Sequence, residues 1–180
     1  FVGSRGLGDV YKRQALSDQV SFPWFAPAGT RRGGVTNATA TGYIDKEGEF
    51  VSIALNEGQR DTLFGISVNP ITFITGAGLV CFGQKTRAKN ASALDRVNVA
   101  RLVIYLRSQL NKLAKPYIFE PNDKITRDEI KQAAESLMLE LVGSRALYDY
   151  IVVCDESNNT PSRIDRNELY LDIAVEPVKA

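Results

Sequence analysis

Near the end of the chain, Leu169, Leu171, Ile173 and Val175 alternate with Tyr170, Asp172, Ala174 and Glu176. A period of two with one polar side predicts a strand with one wet face. Upstream, Tyr148, Tyr150, Val152 and Cys154 alternate with Asp149, Ile151, Val153 and Asp155. Both of these sets are largely apolar, which predicts a strand covered on both faces or nearly so. Between the two runs, Asn158, Asn159, Thr160 and Pro161 form a turn cluster, because Asn side chains bond nearby backbone and Pro fixes its own φ. Asp165, Arg166 and Asn167 are placed to tie the loop down. Spacing alone therefore reads residues 148–180 as a β-hairpin with a long polar loop.

Helical spacing takes over before that hairpin. Ser92 to Lys115 predicts a helix, with Ser92 as cap, Asp95 as its acidic partner and Pro116 as the stop. Leu94, Val97, Val103, Ile104, Leu106, Leu110 and Leu113 make its broad apolar face. Residues 117–123, YIFEPND, read as a short extended piece and a turn. A second helix is expected from a capping box of Thr126 and Glu129, with Ile125 and Ile130 as a hydrophobic staple. Ile130, Ala134, Leu137 and Leu141 line one side of it, and Gly143 suits its C-terminal end. The C-terminal half thus reads helix, short strand, helix, strand, strand. That order predicts an α+β fold, with two helices packed on a small mixed or antiparallel sheet.

The first half is less periodic. Residues 21–34, SFPWFAPAGTRRGG, carry Pro23 and Pro27, which argue against helix, and Trp24 and Phe25 read as packing anchors. Arg31 and Arg32 read as a solvated loop tip. Asn56 to Asp61 suggests a loop or short helical turn, and Ser67 to Pro70 a turn into a strand at Ile71 to Ile74. Gly76 to Gly83 reads as a buried strand flanked by glycines.

Composition narrows the chemistry. The chain has 180 residues, is 44% hydrophobic, carries a net charge of +1 and has no long basic run, so no nucleic-acid footprint is indicated. It contains no histidine, which removes any Ser-His-Asp or Cys-His relay and any histidine metal site from these residues. Cys81 and Cys154 lie inside apolar runs and read as small buried hydrophobes. Gly78 to Thr86 nearly spells a phosphate loop, but Gln84 interrupts it and the intervening residues suit a strand interior. Asp155, Glu156, Asp165 and Glu168 cluster in sequence, yet the neighbouring Arg163 and Arg166 favour salt bridges and caps over a cation. No apolar stretch approaches membrane-spanning length. No catalytic, cofactor-binding or metal residue is assigned.

The opening residues stand apart. Ser4 to Gln14, SRGLGDVYKRQ, resembles the translation of a transposase-type sequencing adapter, so residues 1–14 are expected to be a non-native leader. Without Arg5, Asp9, Lys12 and Arg13 the balance moves from 22 basic and 21 acidic residues to 19 and 20.

Several motifs point in one direction. PWFAPAGTRRG at Pro23–Gly33, SVNPI at Ser67–Ile71, GQKT at Gly83–Thr86, SALDRVNVARL at Ser92–Leu102, FEPND at Phe119–Asp123 and VVCDESNNTPSRIDRNEL at Val152–Leu169 resemble, in order, motifs of contractile phage tail sheath proteins. The resemblance implies that residues 15–89 are the end of the sheath's subtilisin-like domain, a name for a fold and not for protease activity. It implies that residues 90–180 are the sheath C-terminal domain, with its arm lying beyond. It further implies a structural protein without catalysis or cofactor. Its expected partners are other sheath subunits in a helical tube, the inner tail tube and the baseplate, with no direct nucleic-acid contact and no membrane insertion. Its place would be the virion, after assembly in the host cytoplasm. The 180 residues, lacking the terminal arms, are expected not to form a tube by themselves. A headless contractile injection particle is the near alternative. A hydrolase or nucleotide-binding fragment, or a small-molecule module, are the distant ones.

Overall fold

The computed structural model describes residues 6–179 apart from Asn37 and Lys89, with side chains from Arg13 onward. The chain divides into two compact units, residues 1–101 and Leu102–Lys179.

In the first unit, helix α1 runs Gly6–Val20 and so crosses the expected boundary at residue 14. Arg13 is buried with its guanidinium against Cys81 Sγ, and Asp18 pairs with Arg101 at 2.5 Å. The aromatic segment that follows packs on itself: Phe22 and Trp24 stack with ring centroids 4.8 Å apart, and Trp24 is buried. The two prolines do not keep this whole segment from helix, because one turn, α2 at Gly29–Arg32, forms just after Pro27. Gly33 to Val35 then pairs with a later strand. Cys81 N donates to Gly33 O at 2.7 Å and Val35 N to Leu79 O at 2.8 Å. A Cβ on Gly33 would lie 2.7 Å from Cys81 O, so this close approach requires glycine.

Strands β1 (Gly42–Ile44) and β2 (Phe50–Ser52) form an antiparallel hairpin that the sequence reading missed. Helix α3 (Glu57–Gly65) has a complete capping box between Asn56 and Gln59 and runs on past the loop or short helical turn that was expected. β3 (Ile71–Ile74) and β4 (Gly78–Cys81) pair antiparallel, joined by a turn in which Gly76 takes φ +84°. Leu79, Val80 and Cys81 are buried, as the glycine-flanked apolar run predicted.

Helix α4 spans Val97–Ala114 and starts five residues after the expected cap. Ser92 to Asp95 instead forms a 3₁₀ turn, and Arg96 is extended. The cause is tertiary: Thr86 N donates to Asp95 O and Val97 N to Gln84 O, both at 2.8 Å. That pairing holds Arg96 extended, bridged to Lys85, and delays the helix. The α4 face also differs from the reading. Val99, Leu102 and Leu106 are buried, whereas Leu94 and Ile104 point to solvent. Pro116 does end the helix, within a 3₁₀ turn at Lys115–Tyr117, so residues 117–123 are turns and not an extended piece.

In the second unit, helix α5 runs Lys124–Gly143. Its cap is Asp123, whose carboxylate accepts from Thr126 N at 2.8 Å, so Thr126 lies inside the first turn. Ile125 is exposed, and no staple with the buried Ile130 forms. The buried stripe is Ile130, Ala134, Met138 and Leu141, with Leu137 only half-buried. At the far end Gly143 stays helical, and Arg145 takes the left-handed conformation at φ +61°. β5 (Leu147–Val153) and β6 (Asp172–Pro177) pair antiparallel, with a bulge between Leu147 and Asp149, and α5 packs along β5. A one-turn helix, α6 at Pro161–Ile164, interrupts the loop between them. The architecture is α+β, with small antiparallel sheets.

Candidate interaction surface

The β5–β6 hairpin is held by its loop, and the loop is held by asparagines. Asn159 is 1% exposed. Its Nδ2 donates to Tyr170 O at 2.9 Å, Asn158 Oδ1 at 2.9 Å and Asp155 O at 3.2 Å, and its Oδ1 accepts from Tyr170 N at 2.8 Å. Asn158 Nδ2 reaches Val153 O, Tyr170 O and Asp172 Oδ2, and its Oδ1 accepts from Asp155 N. Together the two amides copy the ladder hydrogen bonds the strands would otherwise make there. Asn122 extends the network from the α5 side, donating to Asn159 Oδ1 and Glu168 O, while Arg127 donates to Asn122. Buried polar networks of this kind are rigid only when every member is satisfied, and here the donors face acceptors throughout.

Charge fixes the outside of the loop. Arg163 donates to Asn158 O at 2.6 Å and lies over the Tyr170 ring at 3.9 Å. Arg166 also donates to Ser162 Oγ, and its hydrogen-bonded ion pair with Glu168 lowers the Glu168 carboxyl and raises the Arg166 guanidinium from their ordinary pKa values. Asp155 is lowered by hydrogen bonds from the Ser157 hydroxyl and N–H, and Asp123 by the Thr126 N–H. Burial pushes the Cys154 thiol upward. Of the four clustered carboxylates, Asp155 is thus a turn acceptor and Glu168 an ion-pair partner. Among the described residues no group of three or more His, Cys, Asp or Glu is placed to hold a metal.

The sheet that this loop locks has only two strands among the described residues, so each strand has one unpaired edge. β6 alternates as the sequence predicted, with Ile173 and Val175 inward and Asp172, Ala174 and Glu176 outward. β5 does not. Tyr148 and Ile151 are exposed, because only one face of this strand is covered. Unpaired backbone beside exposed apolar side chains is the usual form of a strand-accepting edge.

Elsewhere the candidate chemistry dissolves into packing. The near phosphate loop is strand β4 followed by Lys85, whose ammonium donates to Phe64 O at 2.9 Å and lies over the Phe64 ring. Thr86 donates to Leu94 O. Arg32 donates to Ala26 O and lies over Phe25, so it is a structural residue, while Arg31 is exposed. Cys81 and Cys154 are free and buried. Among the described residues no helix is long and apolar enough to cross a membrane.

Solved structures of contractile sheaths share this fold. The anti-feeding prophage helical sheath in its contracted state matches with a TM-score of 0.73 at 22% identity, covering 91% of this chain and 44% of that one. The contracted sheath complex of PVC, an extracellular contractile injection system, gives 0.75 at 18% identity, covering 93% and 46%. The fold is therefore that of a contractile-sheath protein. The family described as phage tail sheath C-terminal domain matches residues 89–180. The tail sheath protein of Vibrio phage KVP40 is 38% identical over 173 residues, 96% of this chain, and that of Enterobacteria phage T4 is 36% identical over 175 residues. The chain belongs to the phage tail sheath family. It spans about a quarter of the length of these relatives, 24% and 25% respectively.

Proposed function

We propose that these residues are part of a structural subunit of a contractile phage tail sheath, which stacks into a helical tube around an inner tail tube and contracts to drive that tube through the host envelope. The observation that carries the reading is sequence identity of 36–38% to phage tail sheath proteins across 96% of the chain. Residues 15–89 then read as the end of the subtilisin-like domain and residues 90–180 as the C-terminal domain, which agrees with the family match at 89–180. The subunit performs no catalysis, resides in the virion after assembly in the host cytoplasm, and contacts other subunits, the tube and the baseplate. The phage assignment is preferred over a headless particle because the sequence relatives are phage proteins, whereas the injection-system likeness is one of fold.

The physics of such a machine suits the hairpin. A helical tube needs heterologous contacts that do not close. Contraction needs two packings of the same protomer separated by a barrier, and a tether that survives the change. Main-chain pairing at a sheet edge is such a tether, since it asks little of side chains. A loop locked by Asn158 and Asn159 keeps the accepting edge in register while subunits move.

The test is electron microscopy of the full-length protein produced together with its inner tube protein. Regular sheathed tubes are expected. A soluble monomer that binds nucleotide saturably in calorimetry would replace this reading with an enzymatic one.

A further inference from the structure

The two long helices, α4 and α5, present outward stripes of opposite charge, each with exposed aliphatic side chains. On α4 the stripe holds Ile104, Arg107 and Lys112, all exposed, and the helix from Val97 to Ala114 contains no acidic residue. Ile104 is 67% exposed. On α5 the exposed side holds Asp128, Glu129 and Glu140, the neutral Gln132 and Ser136, and two aliphatic residues, Ile125 at 69% and Leu139 at 64%. Lys124 stands at the margin of this second stripe and leaves its sign negative. The 3.6-residue repeat puts each set on one side of its helix. Because the whole chain is nearly neutral, at +1, this separation is a local property and not a reflection of overall composition.

We propose that the α4 stripe of one copy docks on the α5 stripe of a second copy, as a heterologous contact. The occupant is another copy because this unit carries both complementary halves. Arg107 and Lys112, beyond Ile104, match Asp128 and Glu129 beside Ile125 and Glu140 beside Leu139, and the aliphatic side chains exclude water where they meet. After docking, one copy keeps a free acidic stripe and the other a free basic one, so the pair can add further copies at both ends. It is built from surface charges flanking a small apolar centre, so it is weak, reversible and salt-sensitive, as a contact exchanged during contraction must be. The inference rests on the sheath reading in taking the partner to be a second copy.

Charge reversal tests it in the 180-residue chain, with sedimentation velocity at low and high salt and circular dichroism to confirm folding. One variant carries Arg107→Glu and Lys112→Glu, the other Glu129→Lys and Glu140→Lys. Wild type is expected to associate weakly at low salt and to dissociate as salt is added. Each variant alone should associate at least about tenfold more weakly, because like charges then face one another. An equimolar mixture of the two should recover association, since each variant now complements the other. Loss in the α4 variant alone, with the α5 variant unaffected, would mean that the basic stripe docks on a surface of the second copy other than α5 and would overturn the proposal. A monomeric wild type at low salt would also overturn it. Association unchanged in both variants would overturn it too while leaving the sheath reading intact, because strand pairing would then carry the self-contact.

Discussion

Replacing Asn159 with alanine tests how the hairpin is held. The side chain is 1% exposed, and its loss removes three donated bonds and two accepted ones. These bonds are not equal. Tyr170 O keeps Asn158 Nδ2, Asp155 O keeps the Asn159 N–H, and Asn122 Nδ2 keeps Glu168 O. Tyr170 N–H keeps nothing of the kind, because Asn159 Oδ1 is its acceptor. One stranded donor costs about 1–3 kcal/mol, and each remaining lost bond about 0.5–1.5 before neighbours compensate, so a total near 3 kcal/mol is expected. With a urea slope of about 1 kcal/mol/M for a unit of this size, the midpoint falls by roughly 3 M, or the unit fails to fold if its stability lies at the low end of the usual range. Hydrogen exchange over residues 147–179 reads this unit directly. Trp24, the chain's single tryptophan, gives a separate fluorescence signal for residues 1–101. A loss below about 1 kcal/mol in the hairpin would show that the asparagine network is incidental to its register.

Three further outcomes are expected. Gly42→Ala places a Cβ 2.1 Å from Val51 O, so β1 and β2 should separate, read as loss of amide protection at residues 42–52; retained protection would mean the hairpin is held otherwise. Asn56→Ala removes the half of the α3 capping box in which Asn56 Oδ1 accepts from Gln59 N–H, while the bond from Asn56 N–H to Gln59 Oε1 remains; it should cost about 1 kcal/mol, checked by denaturation and by fraying of residues 57–60 in NMR. The carboxyls of Asp123, Asp155 and Glu168 sit below their ordinary values in the folded state. The unfolded chain therefore binds their protons first. Their contribution is complete above about pH 5 and is lost as pH falls below about 4, through the lowered folded values. Thermal midpoints measured down this range should fall, and a midpoint flat from about pH 5 to 2 would contradict the assignment.

Local pattern determined a good deal of this protein. The apolar run at Leu79–Cys81, the alternation along β6, the α5 core positions Ile130, Ala134 and Leu141, and the stop at Pro116 follow from periodicity and backbone chemistry that a short window contains. The ordered motifs also reached the family. Tertiary structure decided the rest, because long-range partners outbid local preference. Residues 92–96 have good helical neighbours, yet pairing of 95–97 with 84–86 keeps them out of α4. Thr126 and Asp123 are both competent caps, and the choice fell to Asp123, from which the chain enters α5. Apolar residues on both faces of β5 suggested full cover, but α5 covers one face and leaves Tyr148 and Ile151 exposed. Asn158 and Asn159 read as turn residues and are in fact the centre of a buried network. Their acceptors lie as far as Tyr170 and Asp172 along the chain, a distance that no local pattern spans.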